Sequence, residues 1–148
     1  MLNLRPHHIL DIVRNIGNDR PIVPHEYGHL VHKITLEIIS NIDVQCKLVI
    51  SNDDICGPCK MLTIEKECLD VLHQLDPPIS KQTYNDDLDR KIMTFLSLKQ
   101  NTVLTIRQYL TKVKNNMDDI VNICTHPKED KGSRKTGLIK GIDKLGIE

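Results

Sequence analysis

The sequence predicts a mainly helical α+β domain with one or two minor strands and a cysteine-bearing loop after the main strand. Apolar residues recur at helical spacing through most of the chain, whereas a clear period of two occurs only in residues 44–50. The apolar residues are chiefly Ile, Leu, Val and Met, with one Phe, three Tyr and no Trp, so we expect an aliphatic core. For 148 residues, a single compact domain over residues 1–148 is the expected organisation.

Two helices and the strand are predicted in the first third of the chain. Pro6 suits the first turn of a helix, and the apolar face that follows it ends at Gly17. Pro24 is expected to open a second helix that runs to about Ser40. Residues 44–50 alternate between apolar and polar side chains, which predicts a half-buried strand.

The remainder of the chain is predicted to be helical between loops. Pro77 and Pro78 are expected to end one helix and to open a linker over residues 76–84. The polar, basic segment 126–137 is predicted to be a flexible loop. Helices are expected near residues 65–75, 88–96, 103–113 and 117–124, with a short helix or frayed tail at 138–147.

Charge and hydropathy exclude several classes of protein. Twenty Lys and Arg balance twenty Asp and Glu, so no net field attracts nucleic acid. The first residues do not form a signal peptide, and no run approaches the ~20 apolar residues of a membrane helix. We therefore expect a cytoplasmic protein without nucleic-acid or membrane partners. In that reducing compartment, five cysteines with one C-x-x-C pair predict metal or redox chemistry.

The segment His25-Glu26-Tyr27-Gly28-His29 matches the H-E-x-x-H pattern of zinc peptidases. In that pattern two imidazoles one helical turn apart bind zinc and the glutamate is the general base. On the predicted helix both histidines point away from the apolar stripe, and no predicted strand precedes them to hold a substrate. We interpret the segment as a solvated helix face, with an adventitious surface metal site as the alternative.

A second motif, Cys56-Gly57-Pro58-Cys59, follows the predicted strand and resembles the thioredoxin active site. There the first thiol is acidified and attacks disulfides, and the second resolves the mixed disulfide. The resemblance ends near Leu62, because the further strands and the cis-proline loop of that fold are not predicted here. A dithiol oxidoreductase with Cys56 as nucleophile and Cys59 as resolving thiol is one alternative function.

The third interpretation takes Cys56, Cys59 and Cys68 together as C-x2-C-x8-C. Three thiolates at this spacing suit zinc or an iron–sulfur cluster. Cys46 shares the apolar face of the strand and is interpreted as a small buried hydrophobic residue. Candidates for a fourth ligand are Cys124, His7, His8 and Asp11.

The segments LRPHHIL at residues 4–10 and DDICGPC at residues 53–59, followed by Cys68, resemble a family of small uncharacterised bacterial and archaeal proteins. These proteins are described as iron–sulfur binding proteins, and their biochemical activity is not established. The resemblance runs through most of the chain and includes the Asp89 helix and a late cysteine. It implies an iron–sulfur cluster bound by Cys56, Cys59, Cys68 and Cys124. A 4Fe–4S cluster is the expected cofactor, and zinc is the alternative.

The chain departs from that family pattern in two places. Asp11 stands where the family commonly has a cysteine, and the further cysteines and the tryptophan that often follow the match to Cys124 are missing. With Asp11 or water in the fourth position, one iron would be open to substrate as a Lewis acid. With Cys124 there, the centre would be closed and structural or electron-carrying.

The amino-terminal element adds candidate catalytic residues. Arg5 at the start of a helix can bind a carboxylate or phosphate bidentately. His7 and Asp11 are i,i+4 neighbours that could form an acid–base pair, although a capped helix with polar surface residues is the alternative. Asp53 and Asp54 are expected to shape and cap the cysteine loop.

Together these observations predict a protein that binds a metal or an iron–sulfur cluster and activates a small anionic molecule at the centre. His8 or His7 would be the acid–base group, and a redox protein is the other expected partner. Besides the dithiol oxidoreductase, a zinc-stabilised interaction module without chemistry is the remaining alternative.

Overall fold

The larger of the two described sheets has three strands. The computed structural model describes residues 1–59, 61, 62, 68–72, 77–118, 120 and 131–147. The sheet contains β1 (Leu2–Leu4), β2 (Gln45–Leu48) and β5 (Val103–Thr105), in the order β1-β2-β5. The middle strand β2 is parallel to β1 and antiparallel to β5. Within β2, Cys46 and Leu48 are buried, as the period of two predicts.

Five helices and a two-stranded hairpin accompany this sheet in the described part of the chain. The hairpin pairs β3 (Val71–Leu72) with β4 (Ile79–Ser80). The helices are α1 (Pro6–Gly17), α2 (Val31–Ser40), α3 (Lys81–Phe95), α4 (Ile106–Asn115) and α5 (Lys131–Lys144). The predicted class, mainly helical α+β, is therefore confirmed. None of the described helices is both long and apolar enough to cross a bilayer.

The core is aliphatic, as the composition predicts. It lies between the sheet and the inner faces of the helices, and Tyr109 is the one aromatic residue among its fully buried side chains. Cys46 is part of this core, which confirms its interpretation as a buried hydrophobic residue. Other members without solvent exposure are Leu4, Ile9, Val13, Ile38, Leu48, Ile106, Leu110 and Val113.

Glycines allow α1 and α5 to approach each other closely. A Cβ atom added to Gly17 would lie 1.8 Å from the carbonyl oxygen of Gly137, and one added to Gly141 would lie 2.0 Å from that of Val13. Only glycine fits at such contacts. Of the segment predicted as a flexible loop over residues 126–137, residues 131–137 belong to α5, which these glycines pack onto α1, and residues 126–130 lie outside the described residues.

Three other elements differ from the sequence prediction. The second helix begins at Val31 and not at Pro24, because Gly28 adopts a left-handed backbone with φ of 79°. Residues 103–105 pair with β2 as a strand, and α4 starts after the capping box of Thr105 and Gln108. Within the helix expected near residues 65–75, residues 71–72 form β3 and residues 68–70 are not helical, whereas residues 65–67 and 73–75 lie outside the described part of the chain.

Candidate metal centre

Asp53 organises the junction between the start of α1 and the cysteine loop. Its Oδ2 accepts hydrogen bonds from His8 Nδ1 at 2.7 Å and from the backbone N–H of Arg5 at 2.8 Å. Its Oδ1 accepts from the backbone N–H groups of Ile55 at 3.1 Å and Cys56 at 3.3 Å. The last two bonds form the turn that shapes the loop. The expectation that Asp53 caps the cysteine loop is confirmed, and the same carboxylate also anchors His8.

His8, Asp53 and Cys56 bring three different donor atoms together. A ring nitrogen, a carboxylate oxygen and the Cys56 Sγ lie within 4.8 Å of one another. Asp53 is buried, whereas His8 and Cys56 are partly exposed. Nitrogen, oxygen and sulfur donors of these residue types are ligands of zinc and of other transition metals. The group is therefore a candidate metal site.

Electrostatics in this group favour a charged His8–Asp53 pair and a protonated thiol. Burial opposes the charge on Asp53, but His8 and the hydrogen bonds outweigh it and lower the pKa of the carboxyl to about 2. Burial likewise opposes the charge on His8, but Asp53 raises the pKa of its imidazole overall. Burial and the Asp53 charge raise the pKa of the Cys56 thiol to about 12. A bound cation would reverse this last effect by stabilising the thiolate.

A second layer of buried charges fixes the start of α1 against α3. The guanidinium of Arg5, 2% exposed, donates from Nε to Asp89 at 2.7 Å and from Nη2 to Asp86 at 2.6 Å. Asp89 has no solvent exposure and accepts from the backbone N–H of His7 at 2.8 Å and from His7 Nδ1 at 2.9 Å. The His7 and His8 ring centroids are 4.4 Å apart. The network therefore positions both histidines.

These partners differ from the ones that the sequence predicts. Arg5 is engaged by two carboxylates of α3, so its guanidinium is not free to clamp a bound anion. His7 pairs with Asp89, and Asp11 pairs with Arg14 at 3.1 Å. The i,i+4 acid–base pair expected between His7 and Asp11 is therefore replaced by a long-range pair with α3.

Cys59 and Cys68 do not belong to this group of donors. The backbone N–H of Cys59 donates to the carbonyl of Cys56 at 2.9 Å, so both residues belong to one tight turn. Cys68 donates from its backbone N–H to Gln82 Oε1 at 2.9 Å. Both thiols are free and half-buried, but neither belongs to the group of donors within 4.8 Å. Cys124 lies outside the described residues.

Gln82, Asp86 and Asp89 are site residues for which the sequence analysis assigned no role. The Gln82 side-chain amide donates to Asp86 at 3.0 Å, and Asp86 in turn accepts from Arg5. Cys68 is thereby connected to the Arg5 network through Gln82. Their spacing of i, i+4 and i+7 places the three residues on one face of α3, which begins at Lys81, within the linker that the sequence predicts over residues 76–84.

The structure does not favour the thioredoxin-like arrangement. In that arrangement the first thiol is acidified at a helix N-terminus, whereas here residues 54–58 form turns. A nucleophilic thiol also requires a lowered pKa, whereas the pKa of Cys56 is raised.

The H-E-x-x-H segment is not helical, so its predicted position on a helix face is wrong. Residues 26 and 27 form a turn before Gly28. His25 Nδ1 accepts a hydrogen bond from the backbone N–H of Tyr27 at 3.1 Å. The rings of His25 and His29 stack with their centroids 4.4 Å apart. The helical geometry by which the peptidase motif binds zinc is therefore absent from this described segment.

The family model described as "Protein of unknown function (DUF1284)" matches residues 25–128. The chain belongs to this family. The part shared with DUF1284 includes the cysteine loop and Asp89, but it begins after α1 and so does not include His7 or His8. No curated protein and no solved structure gives a significant match. Because the function of this family is unknown, the match assigns no role to the site residues. Their function therefore has to follow from the chemistry of the site.

Proposed function

We propose that this DUF1284 protein binds a metal centre at its cysteine loop, with Cys56 as a ligand beside His8 and Asp53. The observation that supports this function is the convergence of the three donor atoms within 4.8 Å. Burial of the Asp53 charge carries a desolvation cost that a bound cation would offset. Metal binding would displace the protons of Cys56 and His8, because ligands bind in their deprotonated forms.

A single divalent ion of the zinc type is the form that this mixed donor set supports best. Zinc binds Cys, His and Asp in tetrahedral sites, and open positions are a feature of catalytic sites. Asp53 already accepts four hydrogen bonds. It therefore suits either of two roles, direct ligand or the carboxylate that orients a ligating histidine.

An iron–sulfur cluster is the second candidate, and it is favoured by the positions of Cys59 and Cys68. Each cysteine of a 4Fe–4S cluster binds a different iron, so cluster ligands lie further apart than donors to one ion. Cys59 shares the tight turn of Cys56, and Cys68 is held near the same network through Gln82. The donor chemistry of these residues fits such a cluster, with Cys124 as the fourth thiolate.

A small anionic substrate would bind the single ion itself, at a position that the protein leaves open, whereas a cluster with four thiolate ligands would be closed to it. Arg5 cannot supply the anion site, because its guanidinium is nearly fully buried and occupied by Asp86 and Asp89. His7 lies beside His8 with its Nδ1 held by Asp89. A histidine held in this way through one nitrogen suits acid–base chemistry at the other. In this proposal His7 is the acid–base group and the metal is the electrophile.

Anaerobic purification followed by metal and acid-labile sulfide analysis tests the proposal. We expect about one metal centre per chain, lost in Cys56→Ser and retained in Cys46→Ala, because Cys46 is a core residue. Metal without sulfide supports the single ion. Iron with sulfide, lost also in Cys59→Ser, Cys68→Ser and Cys124→Ser, supports the cluster. A folded wild-type protein that contains neither metal nor sulfide contradicts the function.

A further inference from the structure

The histidine segment, residues 25–29, lies against the cysteine loop. The backbone N–H of Leu30 donates to the carbonyl of Ile55 at 3.0 Å. A Cβ atom added to Gly28 would lie 3.2 Å from the carbonyl oxygen of Pro58. These two contacts place the end of the histidine segment beside the turn that holds Cys56.

His29 has a buried ring nitrogen for which the described residues provide no partner. Its Nδ1 is shielded from solvent and accepts or donates no hydrogen bond. A buried polar atom without a hydrogen bond is unfavourable, so it calls for an explanation such as a bound ion. Burial, then the charges of His25 and more weakly of His8, lower the pKa of His29. The lowered pKa favours the neutral imidazole, which is the form that binds a metal.

We infer that His29 is a further ligand of the metal centre formed by His8, Asp53 and Cys56. The inference rests on the proposed function and specifies which residue completes the single-ion site. With Asp53 orienting His8, the three ligands would be His8, Cys56 and His29, and the fourth tetrahedral position would stay open for a substrate. His29 lies outside the group of donors within 4.8 Å, so ligation involves a rotation of its ring and closure of the segment onto the loop. The left-handed backbone of Gly28 places the turn for this movement directly before His29.

His25 provides a matched control within the same motif. Its ring is exposed, and its Nδ1 accepts from the N–H of Tyr27. That bond leaves the proton of the neutral ring on Nε2, which disfavours metal binding through Nε2. His25 stacks on His29 with an interplanar angle of 22° and therefore acts as a support for the ring. Zinc binding of the peptidase type would use both histidines as ligands, whereas the metal centre inferred here uses only His29.

Titration of the metal-free full chain with Co²⁺ under anaerobic conditions tests the inference. Absorption of the Cys56 thiolate–cobalt bond reports binding, and the d–d bands report the number of ligands. We expect His29→Ala to weaken Co²⁺ binding by about tenfold or more and to change the d–d bands. We expect His25→Ala to change the affinity for Co²⁺ by no more than about twofold and to leave the d–d bands unchanged. The variant His29→Gln keeps the size of the side chain, so it should restore binding if His29 only packs and should not restore it if His29 is a ligand.

The outcomes separate this inference from the proposed function. If wild-type protein binds Co²⁺ and His29→Ala binds it with equal affinity and an unchanged spectrum, His29 is not a ligand and the metal centre stands. Equal losses in His25→Ala and His29→Ala contradict the inference in favour of the peptidase-type pair. If the wild-type protein gives no thiolate–cobalt absorption, or Cys56→Ser retains it, the proposed function itself is wrong.

Discussion

His8 and Asp53 are joined by a 2.7 Å hydrogen bond between Nδ1 and Oδ2, although 45 positions separate them in the sequence. The bond ties the first turn of α1 to the cysteine loop. The same oxygen of Asp53 accepts the backbone N–H of Arg5. The candidate site is therefore built at the junction of two distant segments, and its integrity depends on one buried carboxylate.

Replacing that carboxylate should weaken both the fold and the site. We expect Asp53→Asn to lower the free energy of unfolding by about 3 kcal/mol, because it removes the negative partner of a buried pair and perturbs four hydrogen bonds. Asp54→Asn is the matched control, since Asp54 accepts the N–H of Asn3 at 2.8 Å, and should cost about 1 kcal/mol or less. Urea unfolding measures both. Equal effects of the two variants would contradict the central role of Asp53.

Asp89 should make stability depend on pH in acid. Burial raises its pKa, but His7 and Arg5 outweigh burial and lower it below the ordinary value. Stability from the ionised carboxylate is thus fully present above the unfolded pKa of about 3.9 and is lost as the pH falls through the lower folded pKa. We expect Asp89→Asn to cost about 3 kcal/mol at pH 7, and this difference from wild type to shrink below about pH 4.

Urea unfolding at a series of pH values measures the Asp89 effect. Asp87→Asn is the control, because Asp87 is exposed on the same helix and pairs with Arg90 at its surface. Its difference from wild type should be small throughout the series. If the cost of Asp89→Asn were the same at pH 3 as at pH 7, the ionised pair would not be the source of the stability.

The thiol of Cys56 should react slowly in the metal-free protein. Its pKa is raised to about 12 by burial and the Asp53 charge, and the thiolate is the reactive form. We therefore expect iodoacetamide at pH 8 to modify Cys56 much more slowly in folded protein than in urea-unfolded protein. Mass spectrometry of peptides after timed alkylation measures this. Rapid modification of folded Cys56 would instead favour the dithiol oxidoreductase.

The glycine contact between α1 and α5 should not tolerate a methyl group. In Gly141→Ala the new Cβ would meet the Val13 carbonyl oxygen at 2.0 Å, and backbone atoms cannot move aside without separating the helices. We expect a loss of about 3 kcal/mol or more in the free energy of unfolding. Gly57→Ala is the control, because its nearest atom would lie at 3.7 Å. A Gly141→Ala protein with wild-type stability would exclude this packing.

Local periodicity is sufficient to predict the type of those elements that bury one continuous face. Residues 6–17 and the helix around residues 88–96 were predicted with the correct type, and residues 44–50 contain β2. The strands β1 and β5 were missed because three residues have too little periodicity, and they are stabilised by pairing with β2. Thr105 and Gln108 did hold a usable signal, since their T-x-x-Q spacing is a capping box.

Residue types and spacing alone indicate a metal-binding cysteine loop with Asp53 as its turn former, because turn chemistry and the C-x-x-C spacing are local. Which donors surround Cys56 is decided by tertiary structure. His8 is positioned near Cys56 by its hydrogen bond to Asp53. Arg5 and His7 are held by α3, and the contact of Leu30 with Ile55 positions His29. Long-range packing determines these partners, since it joins His8 to Asp53 across 45 positions and Arg5 to Asp89 across 84 positions. For that reason the cysteine loop is predictable from the sequence, whereas the side chains that surround it are determined by the tertiary structure.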